Sequence, residues 1–277
     1  MLADKIIENK GKKIVLVSLA RAGIPIGILV KRYIKFKYDI NVPHYSISII
    51  RGRGIDDNAM KYLLEKYRPQ QILFVDGWIG KGAILNELKK DISAYEGVSA
   101  DIAVVADPAN VTELCGTHED ILIPSSCLNS TVSGLISRTF LRDDIIGRDD
   151  FHGAVYYGEL TDSDLSYDFI ETIEKEFNME NTPDLEKRVE SQGIDEVINI
   201  GKNFGIDDIN LIKPGIGETT RVLLRRIPWK VLIDERYKGN PQLEHIVRLA
   251  EEKHTPVEYY PLTHYKCCGI IKKLADA

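Results

Sequence analysis

Residues 70–88 read QQILFVDGWIGKGAILNEL. Ile72, Leu73, Phe74 and Val75 form a short run of branched and aromatic side chains, the pattern of a strand buried on both faces of a parallel sheet. Asp76 ends the run. Gly80, Lys81 and Gly82 make a turn, and Ala83, Ile84, Leu85 and Leu88 begin a helical repeat. Strand, glycine-rich turn and helix in that order leave backbone N–H groups free at a helix start, which makes an anion site. Asp76 falls at the carboxyl end of the strand, where open α/β sheets hold their ligands. The plainer alternative is an ordinary turn between two elements.

The same arrangement occurs earlier in the chain. Residues 13–19 (KIVLVSL) predict a buried strand, residues 20–23 (ARAG) a tight turn, and residues 25–36 a helix, with Pro25 suited to its first turn. Residues 42–50 (VPHYSISII) alternate like a strand and run into a cationic loop containing Arg51 and Arg53. Residues 57–67 predict an amphipathic helix, and 100–106 (ADIAVVA) and 120–124 (DILIP) two more strands. This βαβ alternation implies a parallel sheet with right-handed crossovers. Residues 125–139 are dense in hydroxyls and amides with few charges. That suits either a pocket lining, with Asn129, Ser133 and Arg138 as contacts, or a capped helix packed by Leu135 and Ile136. His152, just before a strand predicted over 154–160, reads as a base, a ligand contact or a structural histidine.

A length of 277 residues allows two modest domains. The net charge of -6 argues against wholesale nucleic-acid binding, but it is uneven: the chain from Thr219 onward carries 11 Lys/Arg and 7 Asp/Glu, against an acidic remainder. The four cysteines show no CxxC spacing, the first residues no apolar core of a leader, and no stretch is apolar enough to span a bilayer. A reducing cytoplasm and no membrane association are expected.

Asp76 to Gly82 resembles the phosphoribosyl-pyrophosphate (PRPP) loop of type I phosphoribosyltransferases, and SLARAGIPIG (18–27) their pyrophosphate loop. Two departures stand out: Gly77 takes the place of a second acid, and Lys81 that of a usual threonine. Together with HYSISIIRGRGID (44–56), DILIPSSCLNSTVSGLISRT (120–139) and DFHGAVYY (150–157), these blocks resemble the StiP family. Its members are predicted phosphoribosyltransferases found with bacterial tellurite-resistance and stress operons, and the family also bears the label cysteine protease. The resemblance implies a type I phosphoribosyltransferase-like α/β sheet flanked by helices. Asp76 would meet the ribose, with Gly77, Trp78, Ile79, Gly80, Lys81, Gly82 and Ala83 around the 5′-phosphate. Ala20, Arg21, Ala22 and Gly23 would hold pyrophosphate, and Arg51 and Arg53 would sit on a closing lid. Asn129, Ser133, Arg138 and His152 would line the acceptor pocket.

Beyond a polar linker the pattern changes. A helix is predicted over 218–226, strands over 229–233 and 256–260, a helix over 241–253, and a last helix or strand over 268–274. The run Gly215-Ile216-Gly217-Glu218-Thr219-Thr220-Arg221 resembles the signature of the L7Ae/Pelota RNA-binding domain, a small α/β/α sandwich. The resemblance implies RNA contact through Glu218, Thr220, Arg221, Arg225 and Arg226. Gly217 replaces the asparagine that reads a base pair there, which puts sequence-specific readout in doubt.

The expectation is therefore two domains, residues 1–185 and 186–277. It is also a transferase that passes the ribose 5-phosphate of Mg-PRPP to a nitrogenous base. PRPP or a nucleoside 5′-phosphate is the expected small ligand, Mg²⁺ the cofactor (held through the ligand and Asp76), RNA a further partner, and a homo-oligomer the assembly. Two alternatives stay open: a thiol hydrolase with Cys127 as nucleophile and His152 as base, and a non-catalytic RNA-binding adaptor.

Overall fold

The computed structural model describes residues 1–127, 130–180 and 190–273. The chain opens with α1 (Leu2–Lys10), β1 (Val15–Ala20), α2 (Gly23–Tyr38), β2 (His44–Ile50), β3 (Gly54–Ile55), α3 (Asp57–Lys66), β4 (Ile72–Trp78), α4 (Ala83–Ile92), β5 (Ile102–Ala106) and β6 (Cys115–Thr117). The strands form one sheet in the order β3-β2-β1-β4-β5-β6. All neighbours run parallel except β3, which turns back on β2. This is the expected mostly parallel α/β sheet, flanked by helices.

Alternation along the central strands explains the layers. Val15, Val17, Leu19, Ile72 and Phe74 face one side, where Met60 and Leu63 of α3 and Leu85, Leu88 and Ile92 of α4 cover them. Leu16, Leu73 and Val75 face the other side, under Ile6 of α1 and Ile26, Val30 and Ile34 of α2. Each such side chain contributes about 1.5–3 kcal/mol when fully buried. Helix α2 lies unusually close to the sheet because Gly23 allows it: a Cβ there would stand 2.3 Å from the Val75 carbonyl oxygen.

A short helix, α5 (Pro124–Cys127), follows, and then the hairpin β7 (Ile136–Phe140) and β8 (Gly153–Tyr156), and α6 (Ser166–Glu174). The strand predicted over 120–124 is absent. Asp120 is instead turned into the second domain, where its carboxylate accepts two backbone N–H groups. The last sheet strand is β6, five residues earlier than Asp120.

The second domain comprises α7 (Gly193–Phe204), β9 (Ile212–Pro214), α8 (Ile216–Arg225), β10 (Pro228–Ile233), α9 (Glu244–Glu252), β11 (Val257–Tyr259) and β12 (Cys267–Ile271). Its sheet has the order β11-β10-β12-β9. Val197 and Ile200 of α7 pack on one face, and Leu223 of α8 with Ile246 and Ala250 of α9 on the other. That is the expected α/β/α sandwich. The boundary expected at 185/186 lies outside the described residues. No helix among the described residues is long and apolar enough to cross a membrane.

Candidate functional site

A cavity of about 260 Å³ opens at the carboxyl ends of β1 and β4. It is lined by Ala22, Asp76, the loop from Trp78 to Ala83, Arg51 and Ser126, and by Lys213, Glu218 and Arg221 of the second domain. The two predicted turns thus share one sheet rim, with Arg51 from the loop beyond β2 beside them. The contribution of the second domain was not legible in the sequence.

That domain is clamped onto the glycine turn. Lys81 Nζ donates to the carbonyl oxygens of Ile209 (2.7 Å) and Ile212 (3.0 Å). Tyr265 Oη donates to the Gly80 carbonyl oxygen at 2.6 Å, and Arg51 Nη2 to Asn210 Oδ1 at 3.1 Å. Lys81 therefore ties the domains together, and burial and neighbouring Lys213 push its pKa down to about 8. Arg53 is exposed on the turn before β3.

Asp76 Oδ1 accepts the Gly77 N–H at 2.7 Å, yet burial pushes its carboxyl up to about 7. Glu218, the other carboxylate on the cavity, pairs with Arg221 Nη1 at 2.6 Å. Of these two carboxylates, Asp76 is the one that would face a magnesium ion brought in with a phosphate ligand, since Glu218 is already paired.

Around the first turn, the Arg21 guanidinium donates to the Ser137 carbonyl oxygen. Burial, then Arg221 and Arg225 nearby, lower its pKa to about 10. The acceptor-pocket residues are not gathered on this cavity. Ser133 is buried, Arg138 exposed, and Asn129 lies outside the described residues. His152 lines a separate cavity of about 360 Å³ with Tyr45, Tyr62 and Phe151, where its Nδ1 meets Ser48 Oγ at 2.9 Å and its backbone N–H donates to Asp56 Oδ2 at 2.7 Å. Of the expected RNA contacts, Thr220 is buried, Arg221 faces the cavity, and Arg225 and Arg226 are exposed.

Cys127, the thiol favoured by the sequence, ends α5 and is buried. Its pKa is raised, chiefly by burial, and its side chain bonds Thr220. Thr220 Oγ1 donates its one proton to the Ile216 carbonyl oxygen at 2.7 Å while also meeting His245 Nε2 at 2.9 Å. Cys127 thus reaches His245 only through the Thr220 hydroxyl, and no imidazole touches its sulfur directly among the described residues. No hydrogen bond joins Cys127 and His152 among the described residues. The pair expected from the sequence is not assembled.

A different thiol has an imidazole beside it. Cys115 on β6 has its Sγ 3.4 Å from His118 Nε2 and 3.8 Å from Nδ1. His118 Nδ1 lies 2.9 Å from the Asp107 carbonyl oxygen and 3.8 Å from Asp107 Oδ2. A carbonyl accepts only, so Nδ1 carries the proton and Nε2, the nitrogen nearer the sulfur, holds the lone pair. The two sulfur distances differ too little for an in-line hydrogen bond, so the sulfur sits beside the ring. Asp107 is fully buried, with Oδ2 accepting the N–H groups of Val111 (2.7 Å) and Thr112 (2.8 Å), and burial pushes it up to about 6. The signal in the sequence was Cys-x-x-His eight residues after an aspartate that ends a strand.

Residues 1–174 match the family model described as "Tellurite-like stress resistance cysteine protease StiP". The chain belongs to the StiP family. Residues 191–273 match a Pelota RNA-binding domain. A relative from Acinetobacter baylyi named "Cysteine protease StiP" is 32% identical over 294 residues, covering 99% of this chain and 76% of that protein. Among solved structures, a hypoxanthine-guanine phosphoribosyltransferase from Bacillus anthracis is 18% identical, covering 42% of this chain and 71% of its own, with a TM-score of 0.31. A hypoxanthine phosphoribosyltransferase from Trypanosoma cruzi is 13% identical, covering 62% and 87%, with a TM-score of 0.28.

These names correct the main functional expectation. Ribose-phosphate transfer came from two loops, whereas the family and the relative at 32% identity are both named as cysteine proteases. The loops persist in StiP as turns at the sheet rim, and Lys81 there is bonded to the second domain.

Proposed function

We propose that the chain is a cysteine-dependent hydrolase of peptide bonds in which Cys115 is the nucleophile and His118 the base. The observation that carries this reading is the 3.4 Å approach of Cys115 Sγ to His118 Nε2. Among the described residues, Cys115 is the cysteine with an imidazole against its sulfur.

In the reaction Nε2 takes the thiol proton as the sulfur attacks the substrate carbonyl carbon. The C–N bond breaks, the leaving amine takes that proton, and water then hydrolyses the thioester. The Asp107 carbonyl oxygen fixes the tautomer by accepting from Nδ1, and the Asp107 carboxylate nearby stabilises the imidazolium. A turn of the ring brings Nε2 into line with the sulfur, since such bonds commonly tighten only with substrate present.

Cys115 is fully buried, so access requires movement. Ala109, in the same apolar cluster, accepts a hydrogen bond from Gly193 N of the second domain at 2.9 Å, and Asn110 Nδ2 reaches the Ser191 carbonyl oxygen at 3.1 Å. Lifting the second domain uncovers this flank. The test is cleavage of an unfolded protein substrate together with iodoacetamide labelling mapped by mass spectrometry. Cys115→Ser is expected to abolish both cleavage and its labelled peptide, while Cys127→Ser keeps cleavage. The reverse pattern would overturn the assignment.

The second domain supports a further reading, that the protein engages RNA. What supports it is the match to the Pelota RNA-binding model over residues 191–273 and the basic balance of that part of the chain. Retention of the chain on an RNA oligonucleotide at moderate salt, and its release as salt rises, tests it.

A further inference from the structure

The run from Gly215 to Thr220 that carries the Pelota resemblance is turned toward the first domain, with Gly215, Ile216, Gly217, Thr219 and Thr220 buried. Ile216 N is held by Asp120 of the first domain at 3.0 Å. Thr220 is 5% exposed and bonded within its own domain. Glu218 and Arg221 pair with one another on a cavity whose far wall is Asp76, Trp78 and Ser126. An RNA strand reaching Thr220 or Ile216 would have to displace the first domain.

At the other end of α8 the surface differs. Leu224, Ile227 and Trp229 are exposed apolar side chains, with Trp229 39% exposed. Trp229 occupies a bulge of β10: Pro228 pairs with Ile271 and Lys230 with Ile270, which leaves Trp229 as the extra residue. A bulge re-aims a side chain. The indole stands edge-on to Phe204, ring centroids 6.2 Å apart, and Lys230 Nζ lies 5.3 Å from its centroid. Glu258 is already paired with Lys230. Lys272 N bonds the Ile227 carbonyl oxygen at 2.9 Å, which brings Lys272 beside this apolar group. Arg226 and Lys272 are exposed and form no ion pair among the described residues. A partly exposed indole three residues from exposed Arg226, on the strand end next to exposed Lys272, is the make-up of a single-strand platform, where a base stacks and phosphates meet charge.

We propose, resting on the RNA reading above, that the second domain binds single-stranded RNA through Trp229, Arg226 and Lys272 while α8 stays docked on the first domain. A base stacks on the indole, and the flanking phosphates lie against Arg226 and Lys272. Binding on this surface leaves the domain contact intact.

The experiment is fluorescence anisotropy of the full-length chain with labelled oligouridine. Trp229→Ala and the double variant Arg226→Gln/Lys272→Gln are each expected to weaken binding about tenfold. The double variant should also flatten the salt dependence. Arg221→Gln is expected to leave affinity within about twofold, since its partner is Glu218 on the inner cavity. All of these side chains except Arg221 lie on the surface, and circular dichroism checks that each variant is folded. Binding that ignores Trp229, Arg226 and Lys272, or that is lost in Arg221→Gln, overturns this proposal while the RNA reading stands. A wild-type chain that binds no oligonucleotide overturns the RNA reading and this proposal together.

Discussion

Asp120 Oδ1 accepts the backbone N–H of Ile216 at 3.0 Å, so a carboxylate of the first domain sits on the opening turn of a helix in the second. Its Oδ2 takes the Lys266 N–H at 2.9 Å. A negative charge at a helix start is favourable, yet burial still pushes this carboxyl up to about 6. Asp120→Ala strands two buried N–H groups and is expected to remove about 2–4 kcal/mol, at roughly 1–3 kcal/mol for each buried group left unsatisfied. Asp120→Asn keeps the bond to Ile216 and should lose less. Thermal denaturation of the two variants checks the order, and equal losses would mean that the bond to Ile216 contributes nothing.

Asp76 makes stability depend on pH. Its pKa is raised by burial to about 7 from an ordinary 3.8, so the folded chain holds a proton that the unfolded chain releases. The contribution is therefore fully present below pH 4 and is lost as pH rises through 7. Because Asp76 keeps part of its surface open to the cavity, the effect is discounted to about 1–2 kcal/mol. Asp76→Asn, which retains an acceptor for Gly77 N–H, should raise the melting temperature at pH 8 by a few degrees and leave it nearly unchanged at pH 4. A variant that melts lower than wild type at pH 8 would contradict this.

Gly23→Ala tests the packing of the first turn. Its Cβ would meet the Val75 carbonyl oxygen at 2.3 Å and Asp76 Cα at 3.0 Å, both backbone atoms of the central strand. Neither can swing aside as a side chain would. A loss of about 1–3 kcal/mol is expected from the overpacking, read as a lower urea midpoint. An unchanged midpoint would show that α2 can shift outward without penalty.

The two histidines separate the two thiol arrangements. His118→Gln should lower turnover about a thousandfold or more if His118 is the base, whereas His152→Gln should leave it within a few-fold because His152 bonds Ser48 and Asp56. Steady-state cleavage rates decide this, and comparable losses in both variants would sink the Cys115 assignment.

The central strands were legible because Val15 to Leu19 and Ile72 to Val75 are apolar on both faces, and a strand buried on both sides has no other composition. The rim position of Asp76 and the turn after it followed from that order of elements. The stretch at 120–123 misled because Ile121 and Ile123 alternate as in a strand, while the backbone follows the pull of Asp120 toward the N–H groups of Ile216 and Lys266, 96 and 146 residues further on. Cys115 and His118 escaped notice for a related reason. Their pairing depends on Asp107, brought alongside by the β5–β6 connection, and the short Cys-x-x-His spacing near that aspartate is too common a pattern to single out without the fold. Cys127 was weighed because the resembled family bears the label cysteine protease, but its thiol is buried, and the neighbouring Ser125 and Ser126 Oγ have no hydrogen-bond partner among the described residues.

Trp78 packs against Gly215, whose φ of +87° and close approach to the indole leave no room for a side chain. The chain has two tryptophans, and the other, Trp229, stands on the outer surface. Replacing Trp229 by phenylalanine would thus leave a single tryptophan, excited selectively over the tyrosines, wedged in the seam. Its emission would shift to the red whenever the halves part, giving an optical record of opening without any attached dye.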